Sequence, residues 1–252
     1  DWRWLAAAVL AVNLQTVLSA LRWRLTASAL GQPITPGYAI GEYYLAQSIN
    51  QTLPGGVLGD ASRAVRARHS ADLLRSGQAV VIERLAGQIA LGAVLLPALV
   101  VTGKGLWALG AMAVVSVGVS VAGALPKLRA LMKLLQLALL GRAVRNHQIA
   151  LAVSIVACNL ASFTFCAYAI GAALPLSAIV TLVPLILSAM LVPLSIAGWG
   201  WREGAAAALF PLAGATPGAG LAASAAFGAI LLLSALPGLA WLARRQDITG
   251  TR

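Results

Sequence analysis

Six ionisable residues stand out because of where they fall. Asp60 and Arg63 lie three apart, on one face if that stretch is helical. Arg63 brings a planar guanidinium that grips a phosphate as a fork. Glu83 and Arg84 interrupt an apolar stretch about one and a half turns in, where ionisable groups are costly and tend to be functional. The plainer reading is that Arg84 reaches back to a nearby interface. Gln88 follows one turn later on the same face and is placed to share hydrogen bonds with Arg84. Arg202 and Glu203 sit between Gly200-Trp201 and a small-residue run, with Trp199 and Trp201 marking an interfacial edge. They form either a local ion pair or part of a binding site. Glu42, beside Tyr43 and Tyr44, is a further candidate partner for Arg84.

Glycines surround the first of these charges. Gly55, Gly56 and Gly59 after Pro54 permit a tight turn and close backbone approach. A helix starting there aims its free amides at an anion, or Asp60 caps that helix. Other chemistry, an intramembrane enzyme included, is the least expected. No G-x-x-x-x-G-K-[ST] run is present, so direct ATP drive is not expected. No H-E-x-x-H or Cys/His cluster offers a metal site, and no cofactor is expected. His69 and His147 are isolated beside basic residues, and no Ser/His/Asp set can be argued. Cys158 and Cys166 would lie about 12 Å apart along a helix, too far for a disulfide.

The elements that position these residues are membrane helices. The 252 residues are 60% hydrophobic and only 10% charged, well below the roughly one quarter of a soluble domain. Apolar runs near 4–21, 78–101, 105–124, 149–171 and 218–242 approach the roughly 20 residues that cross a hydrocarbon core. Two more, 38–53 and 176–195, end in Pro/Gly clusters. The net charge of +11 sits in loops between apolar runs, which points to anionic lipid rather than nucleic acid. Arg22, Arg24, Arg63, Arg66, Arg68, Arg75, Lys127, Arg129, Lys133, Arg142, Arg145, Arg244, Arg245 and Arg252 fall on one side, and Arg3 and Lys104 on the other. The positive-inside rule makes the first side cytoplasmic.

That assignment leaves 38–68 starting and ending inside, and 176–214 starting and ending outside. Each is therefore expected to be a re-entrant hairpin, the first turning at Pro54-Gly55-Gly56 and the second near Ala197-Gly198-Trp199-Gly200. The expected fold is all-α: one transmembrane domain over 1–252, a polytopic helix bundle with two re-entrant hairpins in an inverted repeat. Repeat 1 covers about 1–101 and repeat 2 about 149–243, the broken-helix logic of secondary transporters. Between them lie a linking helix and a basic segment within 105–146. Residues 127–146 read either as an amphipathic interfacial helix or as an ordinary loop. Small residues at 205–208 and 222–229 suit close helix packing.

The blocks Asn50-Gln51-Thr52-Leu53-Pro54-Gly55-Gly56, Gly59-Asp60, Arg63, Gly77 and Glu83-Arg84 with Gly87 resemble the lysylphosphatidylglycerol synthase transmembrane region, a flippase-like membrane family. Leu21-Arg22-Trp23-Arg24 and Pro193, Gly198 and Gly200-Trp201-Arg202-Glu203 fit as well. The resemblance spans nearly the whole chain. It implies lipid translocation in a bacterial cytoplasmic membrane. The family's aminoacyl-transferring part is a separate soluble domain, so this chain is not expected to make the lipid or to be an enzyme. Members usually carry one more N-terminal helix, which a chain opening at Asp1 is expected to lack.

The leading expectation is a flippase or translocation facilitator for a phospholipid or glycolipid with a charged headgroup. Arg63, Arg84 and Arg202 would hold an anionic headgroup; Asp60, Glu83 and Glu203 would balance them or admit a cationic one. Gly55, Gly56 and Gly59 would shape the site, with Glu42, Asn50 and Gln88 as further contacts. Its partners would be anionic or aminoacylated phospholipids or a glycolipid. The alternative is a non-transporting partner or scaffold for an envelope-lipid enzyme. A small-solute transporter is the third reading.

Overall fold

The computed structural model describes residues 1–54, 56–70, 72–101, 103, 125–191 and 196–249. All regular structure among them is helical. The helices are α1 (Trp2–Ala29), α2 (Pro36–Thr52), α3 (Leu58–Arg66), α4 (Leu73–Val101), α5 (Pro126–Leu140), α6 (Arg145–Ala169), α7 (Leu176–Ser188), α8 (Trp201–Leu209), α9 (Pro217–Ala235) and α10 (Pro237–Thr249). Short 3₁₀ turns follow α3, α7 and α8. Among the described residues, four stretches are long and apolar enough to cross a membrane: Trp2–Ala29, Leu73–Val101, Arg145–Ala169 and Pro217–Ala243. Leu10, Leu14, Val81, Ile89, Val153, Leu221 and Leu233 on them are exposed, an apolar coat suited to lipid rather than water. The chain is a multi-pass membrane protein. The expected run at 105–124 lies outside the described residues.

Two boundaries differ from expectation for physical reasons. The first span does not stop at Arg22: α1 continues to Ala29, because Arg22 is buried against Glu83 and its charge is met inside the protein. The last run is broken at Leu236, where Pro237 opens α10.

Helix α1 is the hub, packing on α2, α4, α6 and α9. It runs antiparallel to α6. Trp4 near its start stacks on Phe165 and meets Tyr168 edge-on near the end of α6, while Thr26 near its end accepts from Gln148 Nε2 at the start of α6. Both helices end in the same way. Gly31 (φ 81°) and Gly171 (φ 84°) take the left-handed conformation. The next amides, of Gln32 and Ala172, bond back to the Ala27 and Ala167 carbonyls at 2.9 Å. After these caps come α2 and α7, then a glycine-bearing turn, then the short α3 and α8. The second turn falls where expected, at Ala197-Gly198-Trp199-Gly200.

Packing divides between two cores. Phe163 sits edge-on to Phe210 and Phe227, with Ala8, Val12, Val183, Ile186 and Ala206 around them. Trp23, Ala27, Ile34, Ala64, Ala79 and Ile82 form the other, covered by Leu131, Leu134, Leu135 and Leu139 of α5. The basic segment is thus helical over 126–140, with leucines against the bundle. The small residues of α9 work as read: a Cβ on Gly220 would lie 2.3 Å from the Ala206 carbonyl oxygen, and one on Gly228 2.5 Å from Trp199. Polar clamps join α1, α2 and α9. The Thr16 hydroxyl donates to Gln47 Oε1 at 2.9 Å, the Tyr44 hydroxyl to Asn13 Oδ1 at 2.8 Å, and the Ser48 hydroxyl to the Ala235 carbonyl at 2.6 Å. Both cysteines are free.

Candidate functional site

The site is assembled where α3 crosses α2. A Cβ on Gly59 would lie 1.9 Å from the Ala46 carbonyl oxygen, so only glycine allows this crossing. Asn50 ties the crossing together, accepting from the Gly59 amide at 2.7 Å and donating to Asp60 Oδ2 at 3.1 Å. Asp60 is thereby held in the first turn of α3. It does not cap the helix, whose N-cap is Val57 without a side-chain bond. Its carboxylate instead receives Arg63 Nη2 at 2.9 Å and Arg84 Nη2. Arg84 also donates to the Gly56 carbonyl at 2.8 Å, so the α2–α3 turn and α4 are fastened together. Arg84 therefore turns into the protein rather than out to an interface.

Glu83, one residue earlier on α4, faces the other way along the same wall. Its carboxylate receives Arg22 Nη2 at 2.7 Å, Arg63 Nη2 at 3.3 Å and the Tyr43 hydroxyl at 3.3 Å. Arg63 is completely buried, its guanidinium lying between the rings of Trp23 (4.5 Å) and Tyr43 (4.4 Å). Gly87 leaves room for Arg22, since a Cβ there would sit 3.1 Å from Arg22 Nη2. The result is a continuous chain: Arg22, Glu83, Arg63, Asp60, Arg84. Three positive charges face two negative ones. Arg22 Nε and Nη1, and Arg63 Nε and Nη1, are buried donors with no hydrogen-bond partner.

Arg22, Glu83, Asp60 and Arg84 of this chain of charges line a cavity of about 330 Å³ between the helices. Gln15, Ser19 and Arg22 come from α1; Tyr43, Gln47, Asn50 and Gln51 from α2; Glu83, Arg84 and Gln88 from α4; and Asn159 from α6. The opposite wall comes from the second half: Leu187, Met190, Ala197, Gly198, Phe227 and Leu231. Ala197, at φ 51°, is the one described non-glycine residue in the left-handed region. The first half therefore supplies all the charged lining, beside the apolar Ala46 and Leu91, and apart from Asn159 the side chains from the second half are apolar.

Of the residues singled out from sequence, Asn50, Gly56, Asp60, Glu83, Arg84 and Gln88 line this cavity, and Arg63 lies directly behind it. Gly59 sets the helix crossing. Gly55 lies outside the described residues. Glu42 does not meet Arg84: it accepts from Arg66 Nε at 2.5 Å and from Trp241 Nε1 at 3.4 Å, on the other side of α2. Arg66 is thus half of an ion pair, not a plain surface charge. Arg202 and Glu203 do not join the cluster either. Arg202 donates to Glu203 Oε1 at 2.7 Å and to Ser224 Oγ at 2.9 Å, between the Trp199 and Phe227 rings, each at 5.3 Å. Glu203 Oε2 accepts from the Gly200 amide at 2.7 Å and so closes the start of α8. This pair is local and braces the second turn.

Sequence reading missed Arg22, Tyr43 and the amide set of Gln15, Gln47 and Asn159. Arg22 was assigned to the cytoplasmic rim because it ends an apolar run. The available signal was Gln15, Ser19 and Arg22, which recur on one face of α1.

Among the described residues no group of His, Cys, Asp and Glu suits a metal. The wall offers fixed cations, carboxylates and amides, which suit reversible recognition of a charged polar group.

Fold and site define a polytopic helical membrane protein with a charged cavity between its helices. No curated protein and no solved structure matches the chain. The model of one family does, over residues 1–238: the lysylphosphatidylglycerol synthase TM region. The chain belongs to that family, and membership supports a membrane role connected with lipids.

Proposed function

We propose that this protein moves a lipid with a charged headgroup between leaflets, as a flippase or translocation facilitator. One observation carries the reading. Arg22, Arg84, Asp60 and Glu83 line a cavity between the helices with Arg63 behind them, leaving one positive charge in excess and unpaired donors on Arg22. That excess suits an anionic headgroup, a phospholipid or an acidic glycolipid, while Asp60 can meet an aminoacyl ammonium. Arg84 is the group best placed to engage it, because its side chain is 39% exposed while Arg63 and Glu83 are closed off. Arg202 and Glu203 brace the second turn.

The route comes from the two helical hairpins. Helix α3 and helix α8 have nine residues each, about 14 Å of length, against a hydrocarbon core of about 30 Å. Neither can cross alone, which supports reading each pair α2–α3 and α7–α8 as a hairpin that enters and leaves by one face. The antiparallel α1 and α6, with their matching glycine caps, favour opposite orientations for the two halves, an inverted repeat. In this arrangement the headgroup crosses through the cavity while the acyl chains keep to apolar surroundings, and the chain does no covalent chemistry. Positive-inside counting sets the basic loops on the cytoplasmic side of a bacterial inner membrane.

A second reading has its own support: the buried charges are largely paired with one another, as in a structural network, which fits a non-transporting partner of an envelope-lipid enzyme. Reconstitution separates the two. Purified protein is placed in vesicles carrying fluorescent phosphatidylglycerol, lysyl-phosphatidylglycerol or phosphatidylethanolamine in one leaflet. Faster exchange of a charged lipid than in protein-free vesicles is expected. Exchange at the protein-free rate for all lipids would favour the partner reading.

A further inference from the structure

A second cavity lies across α2 from the first. It is a groove of about 490 Å³ between α2 and α9–α10, within the range of ligand sites. Its walls include Leu45, Ile49, Leu232, Leu236 and Leu239. Its polar lining residues Ser48, Thr52 and Arg66 are bonded elsewhere, to the Ala235 carbonyl, the Ser48 carbonyl and the Glu42 carboxylate, so the surface left to a ligand is mostly apolar. Leu236 and Leu239 are more than half exposed and continue the apolar coat of the spans, so the groove opens sideways toward hydrocarbon.

Gln51 lines both cavities. Helix α2 thus presents Gln47 and Asn50 to the polar cavity and Leu45 and Ile49 to the groove, with Gln51 at the edge between them. A polar chamber and an apolar slot meeting at one amide match the two ends of an amphiphile. We propose that the groove holds an acyl chain of the lipid whose headgroup occupies the polar cavity, with the backbone of the lipid passing Gln51. This inference rests on the headgroup reading above and adds the tail site. On this account the acyl chain is held by protein while the headgroup is bound. Chain length then contributes to affinity in addition to headgroup charge.

The test compares two probes with one headgroup, dioleoyl- and dihexanoyl-phosphatidylglycerol, binding to the full chain purified in detergent. Leu236→Trp fills the groove. It is expected to weaken the long-chain probe about tenfold, the effect of losing roughly two buried methylene contacts, and to leave the short-chain probe unchanged. Arg84→Ala is expected to weaken both. Equal long-chain binding by wild type and Leu236→Trp overturns the groove proposal while the headgroup reading stands. Arg84→Ala without effect on the short-chain probe defeats the headgroup reading instead, and a wild-type protein that binds neither probe overturns both. If Leu236→Trp fails to fold, wild-type protein decides the matter with a phosphatidylglycerol carrying a diazirine at the tail end. Crosslinks concentrated on Leu45, Ile49 and Leu236 are expected. Crosslinks spread evenly over Leu10, Leu14 and Val153 would overturn the proposal.

Discussion

Glu83→Gln tests the charge chain at its centre. The Glu83 carboxylate holds Arg22 at 2.7 Å and Arg63 at 3.3 Å, and all three side chains are almost fully buried, at 2%, 4% and 0% exposure. Glutamine keeps the shape and one acceptor but removes the charge. Arg63 retains Asp60 at 2.9 Å, whereas Arg22 keeps only the Glu83 main-chain carbonyl at 3.3 Å. The wall then has three positive charges against one. Removing one partner of a buried pair costs about 3–5 kcal/mol, and the retained acceptor puts this variant at the lower end, about 3 kcal/mol. For a chain of this size that corresponds to a fall in Tm of roughly 6–12 °C. Thermal unfolding in detergent, followed by tryptophan fluorescence, reads it. Arg22→Met completes a double-mutant cycle: with both changes the wall returns to an excess of one positive charge, so the pair should lose clearly less than the sum of the singles. A Tm within about 1 °C of wild type for Glu83→Gln, or additivity within about 0.5 kcal/mol, would refute the reasoning.

Three other outcomes follow from the same geometry. Gly59→Ala forces a Cβ onto the Ala46 carbonyl oxygen and should cost about 3 kcal/mol or more, visible as lost folded yield in size-exclusion chromatography. Arg202→Ala leaves the partly buried Glu203–Ser224 contact without its cation and should destabilise by about 1–3 kcal/mol, yet leave phosphatidylglycerol affinity of the folded fraction unchanged, as measured by a binding titration. Single cysteines at the two hairpin bases, beside Gly37 and Gly214, should react with impermeant maleimide from opposite sides of sealed vesicles, and those next to Gly56 and Gly200 at the tips only slowly; labelling of both bases from one side would remove the inverted repeat.

Much of this organisation is legible in the residues, though unevenly. The turn at 197–200 follows from its glycines, α2 and α6 follow from their apolar runs, and so does α9, though its end at Ala235 was not read. Asp60 and Arg84 could be singled out because charge is rare and costly inside such runs. Which charge meets which could not be read, because that depends on how helices rotate against one another. Arg22 shows the difficulty: a basic residue ending an apolar run marks a membrane edge unless a carboxylate from another helix, here Glu83 sixty-one positions away, draws it inside. Glu42 faces Arg66 and Trp241 rather than Arg84 because α2 turns that side toward α10. Arg202 stays apart from the cavity because its own neighbour, Glu203, and Ser224 satisfy it locally.

Lipid exchange in vesicles, compared between Arg84→Ala and Arg202→Ala at matched amounts of folded protein, tests the role of the cavity most directly. Arg84 lines the cavity and Arg202 does not. Exchange of a charged lipid should slow sharply with the first substitution and keep the wild-type rate per folded molecule with the second. Equal rates for wild type and Arg84→Ala would contradict a headgroup path along this wall.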